Sequence, residues 1–287
     1  MKAVGVIGLG IMGSAMSANL VKAGFTVCGY DIVTARSSVL KKAGGKPAGS
    51  AAEVAARARV LITSLPSADA LHQIAAELET QCTVVETSTL PIEDKRLARE
   101  TLAKKHIVLL DCPLSGTGAQ AKTKDLSVYG SGDKAAFSSV IPVLKAFSRS
   151  HYYLGEFGNG SKMKYVANLL VAIHNVAAAE AFVLGMKAGL DPQTILEVAG
   201  DGAGSSRMFQ VRGPQMVAGR YDQATMKVEV WQKDMKIIGE YATRLGVPTP
   251  LFNASAAIYT AAMAQGFEKQ DTAAVCAVLE AMARIRR

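Results

Sequence analysis

Histidine and cysteine are scarce in this chain. Four of each are spread over 287 residues, and no CxxC pair or metal-ligand spacing joins them, so neither a bound metal nor a disulfide framework is expected. Cys28, Cys82, Cys112 and Cys276 lie far apart, which fits a reducing, cytoplasmic compartment. Aromatics make up only 6% and are not interleaved with basic residues, as a surface that stacks nucleic-acid bases requires. The formal charge of +8 is therefore read as a field that draws in small anions, not nucleic acid. A signal peptide is not expected either, because MKAVGVIGLGIMG carries glycines at fixed spacing and no cleavage pattern. The longest apolar region, after residue 164, contains Asn168, His174, Asn175 and Glu180, so no membrane-spanning segment is expected.

What is present is an ordinary globular composition, 49% apolar and 20% charged, in a chain long enough for two domains. Alanine is abundant, which favours helices packed closely on each other or on a sheet. AVGVI at 3 to 7 is a continuous apolar run, as a strand buried on both faces should be. A glycine turn, the helical SAMSANLVKAG and the strand TVCGYD complete one βαβ unit. RVLITSL, CTVVETS and HIVLLDCP continue the alternation, followed by DLSVYGSG, the helical DKAAFSSVIPVLKAF and a short strand at HYYLG. This predicts an α/β fold: a doubly wound, mostly parallel Rossmann sheet over residues 1–160. After Gly158 strand signals vanish. Helices are expected near 162 to 188, 192 to 199, 206 to 218, 226 to 245, 250 to 264 and from about 270, giving an all-helical domain over 161–287 that starts with a long interdomain helix. A helix of that length suits sharing between domains or subunits, so a homo-oligomer, dimer or tetramer, is expected.

The motifs fall at strand ends. GLGIMG, residues Gly8, Leu9, Gly10, Ile11, Met12 and Gly13, lies between the first strand and its helix. Gly8 permits the tight turn, Gly10 lets the backbone approach a pyrophosphate, and Gly13 allows close helix packing. Asp31 closes the second strand, where a carboxylate accepts from the ribose hydroxyls and repels a 2′-phosphate, so NAD is favoured and NADP is the alternative. Arg36 is either a solvated first-turn residue or a phosphate partner. Leu65 and Pro66 end the next strand, and Ser88 and Thr89 the one after. In DCPLSGTGAQAKTKD, Ser115 and Gly116 offer a hydroxyl and unobstructed N–H groups suited to a carboxylate. Lys164 and Asn168 are one turn apart on one face of the long helix, with Ser161 a candidate N-cap. By its own segment alone Lys164 reads as a solvated side chain.

In order and spacing, GLGIMG, LPS at 65 to 67, STLP at 88 to 91, DCPLSG, the GxGxxxKxxxN pattern from Gly158 to Asn168, and Lys233-Asp234 resemble the β-hydroxyacid dehydrogenases, which include 3-hydroxyisobutyrate dehydrogenase and tartronate semialdehyde reductase. The resemblance spans nearly the whole chain. It implies NAD(P)-dependent oxidation of a short, anionic, 3-hydroxyisobutyrate-like β-hydroxy acid, with Lys164 catalytic and Asn168 its companion. It further implies that Ser115 and Gly116 hold the substrate carboxylate, that Thr89 lies near nicotinamide and substrate, and that Lys233 and Asp234 close the cleft. By their own pattern Lys233 and Asp234 are a commonplace solvated pair. The chain departs from the family's SGG with Thr117, which on this reading lines or narrows the substrate loop.

The lysine role is chemically coherent. Oxidising a hydroxyl requires a group to take its proton, and an ammonium of ordinary pKa, about 10.4, is poorly prepared for that. Burial, with the positive charge of an oxidised nicotinamide and of Lys162 nearby, disfavours the charged form. Lys164 then serves as base in oxidation and acid in reduction. Two rivals use the same scaffold: an imine reductase, which usually lacks the lysine, and a noncatalytic dinucleotide sensor. His72, His106, His151 and His174 read as surface or packing residues, and Trp231 and the methionines as core.

Overall fold

The computed structural model describes residues 3–286. It divides at Lys164/Tyr165 into two compact units, four residues beyond the expected junction. The first unit is built on strands β1 (Ala3–Ile7), β2 (Thr26–Tyr30), β3 (Lys46–Pro47), β4 (Val60–Thr63), β5 (Thr83–Glu86) and β6 (Val108–Asp111). They form one parallel sheet in the order β3-β2-β1-β4-β5-β6. The chain winds outward from β1 to β3 and then crosses to β4, so the strand order reverses between β1 and β4, where such sheets bind ligands at their carboxyl edge.

Pleating sends alternate residues to opposite faces. Val4, Val6, Ile62, Val85 and Leu110 pack on one face with Met16 and Leu20 of α1 (Ile11–Lys22) and Phe137, Leu144 and Phe147. Ile7, Leu61, Val84 and Leu109 pack on the other, against Val54, Leu71, Ile74 and Leu102. Those partners lie on α3 (Ala51–Arg57), α4 (Ala68–Glu77) and α5 (Ile92–Ala103), with α2 (Thr34–Lys42) preceding them. Each fully buried aliphatic side chain contributes about 1.5–3 kcal/mol, so the double-faced pattern specifies the sheet strongly.

The chain after β6 departs from expectation. Instead of extending the main sheet, β7 (Leu114–Ser115), β8 (Ser127–Gly130) and β9 (Ser150–Tyr153) form a separate sheet, β7-β8-β9. Pro113 has no N–H to continue the β6 ladder, and β7 turns to pair antiparallel with β8. An Asp111–Ser131 bridge ties the two sheets. Two helices, α6 (Gly118–Lys122) and α7 (Lys134–Phe147), complete this part.

Among the described residues no strand follows β9. The long helix α8 (Asn159–Lys187) starts in the first unit and runs into the second. Helices α9 (Pro192–Asp201), α10 (Arg207–Ala218), α11 (Val228–Arg244), α12 (Pro250–Ala264) and α13 (Val275–Met282), with a 3₁₀ turn at Thr272–Ala274, make the second unit. The expected helix boundaries hold to within a few residues. By length and hydropathy alone α8 could cross a bilayer. Its polar side chains are nonetheless engaged within the unit: Asn168 Nδ2 donates to Asp234 Oδ2 at 2.9 Å, and Asn175 Nδ2 donates to Tyr259 Oη and Thr272 O, both at 2.9 Å. Trp231 is buried, as are Met16, Met208, Met216 and Met235, whereas Met163 and Met282 are exposed.

The second unit also has a charged centre. Asp271 is fully buried and accepts from Arg212 Nη1 at 2.5 Å, from Thr225 N and Oγ1 at 2.7 and 2.9 Å, from Met226 N at 3.2 Å and from Ala273 N at 3.0 Å. It therefore joins α10, the start of α11 and the segment leading to α13.

Candidate active site

The glycine loop sits at the β1 carboxyl edge and opens α1, whose N-cap is Gly10 with no side-chain cap and no acidic residue in the first turn. That leaves N–H groups and the positive dipole end available to an anion. Gly8, at φ +89°, and Gly13 are held by close backbone packing: a Cβ at Gly8 would lie 2.2 Å from Ser64 O, and one at Gly13 1.8 Å from Gly8 O. A Cβ on Gly10 would meet nothing within 4 Å. The loop is thus rigid at its two ends and open in the middle, which fits the pyrophosphate of a dinucleotide. Ile11 is exposed and Met12 half-buried, but Leu9 turns its side chain into the core. What Leu9 contributes is its N–H, donated to Asp31 Oδ2 at 2.7 Å.

Asp31 also accepts from Val33 N at 2.8 Å and from Arg36 Nη1 at 3.1 and 3.2 Å. Arg36 is accordingly not simply solvated: its guanidinium, about half exposed, pairs with Asp31. Leu65 and Pro66 form the rim of the next strand end, and Leu65 N–H donates to Ser88 Oγ at 2.7 Å. Thr89, Ser115 and Gly116 are partly exposed, and Gly116 has φ +135°, a conformation that favours glycine. Thr117 has a structural job that was not foreseen. Its Oγ1 accepts from Gln120 N and closes a capping box on α6, so it helps hold the loop in shape.

Lys164 is only 8% exposed. In the second unit Asn168 is buried and oriented by Asp234, whose carboxylate also lies 3.7 Å from Lys233 Nζ. The Lys233-Asp234 pair is therefore not a solvated one.

A buried ionic cluster supports this edge of the first unit, and nothing in the sequence pattern pointed to it. Lys95 of α5 is fully buried, with Nζ 2.5 Å from Glu86 Oε2, 2.9 Å from Asp111 Oδ1 and 2.7 Å from Ser88 O. Burial acts to lower the Lys95 pKa, but the charges of Asp111 and Glu86 outweigh it and hold the ammonium above its ordinary range. Asp111 Oδ2 accepts from Ser161 N, and Oδ1 from Ser161 Oγ, both at 2.8 Å. Ser131 Oγ accepts from Gly160 N at 3.0 Å. Ser161 is thus inside the first turn of α8 and not its N-cap; Asp111 and Ser131 supply the acceptors from outside the helix. Beside them, burial pushes the Cys112 thiol far up, so no thiolate nucleophile arises there. Away from this cluster, His72 Nε2 pairs with Asp94 Oδ1 at 3.0 Å. Among the described residues no cluster of potential metal ligands occurs.

Comparison with known proteins agrees with this architecture. Residues 3–155 match the family described as the NAD binding domain of 6-phosphogluconate dehydrogenase, and residues 158–279 that described as NAD-binding of NADP-dependent 3-hydroxyisobutyrate dehydrogenase. The L-threonate dehydrogenase of Cupriavidus necator is 33% identical over 95% of this chain and 94% of its own. The crystal structure of 3-hydroxyisobutyrate dehydrogenase from Salmonella typhimurium superposes with a TM-score of 0.88 at 29% identity, covering 97% of this chain and all of that one. An imine reductase from Pseudomonas sp. shares the fold at a TM-score of 0.65 and 19% identity over 97% of this chain and 99% of its own, which carries no functional inference. With a dinucleotide loop, a buried lysine and full-length relatives that are dehydrogenases, the chain belongs to the β-hydroxyacid dehydrogenase family of NAD(P)-dependent oxidoreductases.

Proposed function

We propose that the protein oxidises a short β-hydroxy acid using NAD in preference to NADP, with Lys164 as the proton carrier. The observation that carries this reading is a buried lysine at the start of α8, in the unit that also holds the glycine loop, Thr89 and the Ser115-Gly116 turn. The bound nicotinamide supplies a hydride acceptor. Lys164 Nζ takes the hydroxyl proton as hydride leaves the adjacent carbon, and returns it in the reverse direction. Ser115 and Gly116 hold the carboxylate, which fixes the carbinol relative to the lysine, and Thr89 positions the reacting end of the substrate. Asn168 donates from Nδ2 to Asp234, and the role proposed for its amide oxygen is to accept from a lysine N–H or substrate hydroxyl. Lys233, paired with Asp234, contributes positive charge for the cofactor.

NAD preference rests on Asp31, whose carboxylate at the end of β2 disfavours a 2′-phosphate. 3-Hydroxyisobutyrate carries one hydroxyl, β to the carboxylate, whereas L-threonate carries both an α- and a β-hydroxyl; a 3-hydroxyisobutyrate-like acid is the choice made from the motifs. The expected outcome is nicotinamide reduction with at least one of these acids and a higher kcat/KM with NAD than with NADP. Tight NAD binding without turnover of any β-hydroxy acid would return the sensor reading. Preference for NADP would reverse the Asp31 argument.

The second unit supports a homo-oligomer. Val166, Leu170 and Leu184 are exposed on α8, at spacings that line one stripe, and we assign that stripe to contact with a second copy. Sedimentation should show a dimer or tetramer that Leu170→Glu weakens; a monomer at all concentrations would remove this assignment. The absence of disulfides among the described residues, whose four cysteines are free and buried, is in keeping with a cytoplasmic location.

A further inference from the structure

We propose that Asp111, backed by the buried Lys95 and Glu86, is a positioning residue that sets the axial place of Lys164 in the site. The inference rests on Lys164 being the proton carrier. Two carboxylates share one ammonium in this cluster, and all three side chains are fully buried. The surplus negative charge is directed at the start of α8, where the dipole and the N–H groups that lack an acceptor within the helix are positive. Asp111 engages Ser161 twice, through N–H and Oγ at 2.8 Å each. Lys164 follows Ser161 by three residues and is therefore on the same side of the helix.

The approach is also limited by steric contact. A Cβ on Gly160 would lie 2.2 Å from Tyr129 O and 2.7 Å from Asp111 O, so the first turn is pressed against the ends of β6 and β8 with no room for a side chain. Attraction from Asp111 and contact at Gly160 together leave the helix one position along its axis. The same cluster governs the neighbouring loops, since Lys95 Nζ holds Ser88 O at 2.7 Å and Ser88 Oγ holds Leu65 N at 2.7 Å. Lys164, Thr89 and Leu65 are thereby referred to one buried ammonium. A proton carrier needs placement to within about 0.5 Å, and a shift of 1 Å costs roughly 10²-fold in rate.

Ser161→Ala removes one of the two Asp111 contacts and leaves the ion cluster intact, so it is the milder test; Asp111→Asn is the stronger. With the β-hydroxy acid that the unaltered protein turns over fastest, Ser161→Ala should lower kcat by roughly 10- to 100-fold, with little change in KM or in NAD affinity. The isotope effect from deuterium on the substrate carbinol carbon should rise, because hydride transfer becomes slower than product release. In a Lys164→Ala background the same substitution should have almost no further effect on kcat, as residues acting through one group are not additive. Equal losses in both backgrounds, or an unchanged kcat in Ser161→Ala, would overturn the positioning role. If Lys164→Ala by itself keeps normal turnover, the proton-carrier reading fails instead, and the two failures are distinguishable.

Discussion

Lys164→Ala should lower turnover by roughly 10²- to 10⁴-fold, the scale of a single acid–base group, while NAD binding is retained. The separation follows from where the two functions reside. On the proposed reading dinucleotide binding rests on the backbone of residues 8 to 13 and on Asp31, which are tied to each other through Leu9 N–H and not through the lysine. On the same reading proton removal rests on Lys164, which is 8% exposed and lies in the first turns of α8. An alanine there leaves the hydroxyl proton to water, which is neither held nor selected for its basicity. Steady-state rates together with an NAD titration check this, and the residual activity should lose the pH dependence that the lysine confers. Turnover close to normal would remove Lys164 from the chemistry.

The second large effect concerns stability. Asp271→Ala should destabilise the protein by about 3–5 kcal/mol, because it strands a buried Arg212 charge as well as several N–H donors. Burial by itself raises the Asp271 pKa, but the Arg212 guanidinium and the hydrogen bonds from Ala273 and Thr225 outweigh it and hold the carboxyl below the usual aspartate range. A depressed folded-state pKa means that the contribution is complete above the unfolded-state value, about 3.9, and is lost as pH falls through the folded-state value. Urea unfolding at neutral pH should show the full difference between variant and unaltered protein, and the difference should shrink in acid below that range. A loss under about 1 kcal/mol at neutral pH, the scale of an exposed ion pair, would show that the Asp271 centre does not organise the helical unit.

The fold was legible where hydrophobic period and punctuation agreed. The apolar runs that became β1, β4, β5 and β6 are buried on both faces, and the helices after Gly158 end close to the glycines and prolines that mark them. Two-residue strands such as β3 and β7 carry no periodic signal, and the smaller sheet depends on where Pro113 sends the chain. At the site, the glycine loop was legible because its spacing answers to local backbone geometry. The Lys95 cluster was not. A lysine within IEDKRLARE looks like part of a solvated helix face, and its partners Glu86 and Asp111 lie 9 and 16 residues away in sequence on separate strands. Ser161 was misplaced for the same reason: a helix start is read from adjacent residues, whereas here its acceptors come from 29 and 50 residues upstream.

The ties around Asp31 bear on how cofactor use can evolve in this chain. One carboxylate accepts the Leu9 N–H of the glycine loop and serves as counter-ion for Arg36, and on the proposed reading it also disfavours a 2′-phosphate. Replacing it with a small apolar residue would release a cation suited to phosphate but would also unpin the loop that every dinucleotide needs. An asparagine keeps an acceptor for Leu9 while freeing the guanidinium. A change of cofactor choice at this position therefore has to preserve that one oxygen, because the loop it holds serves either dinucleotide.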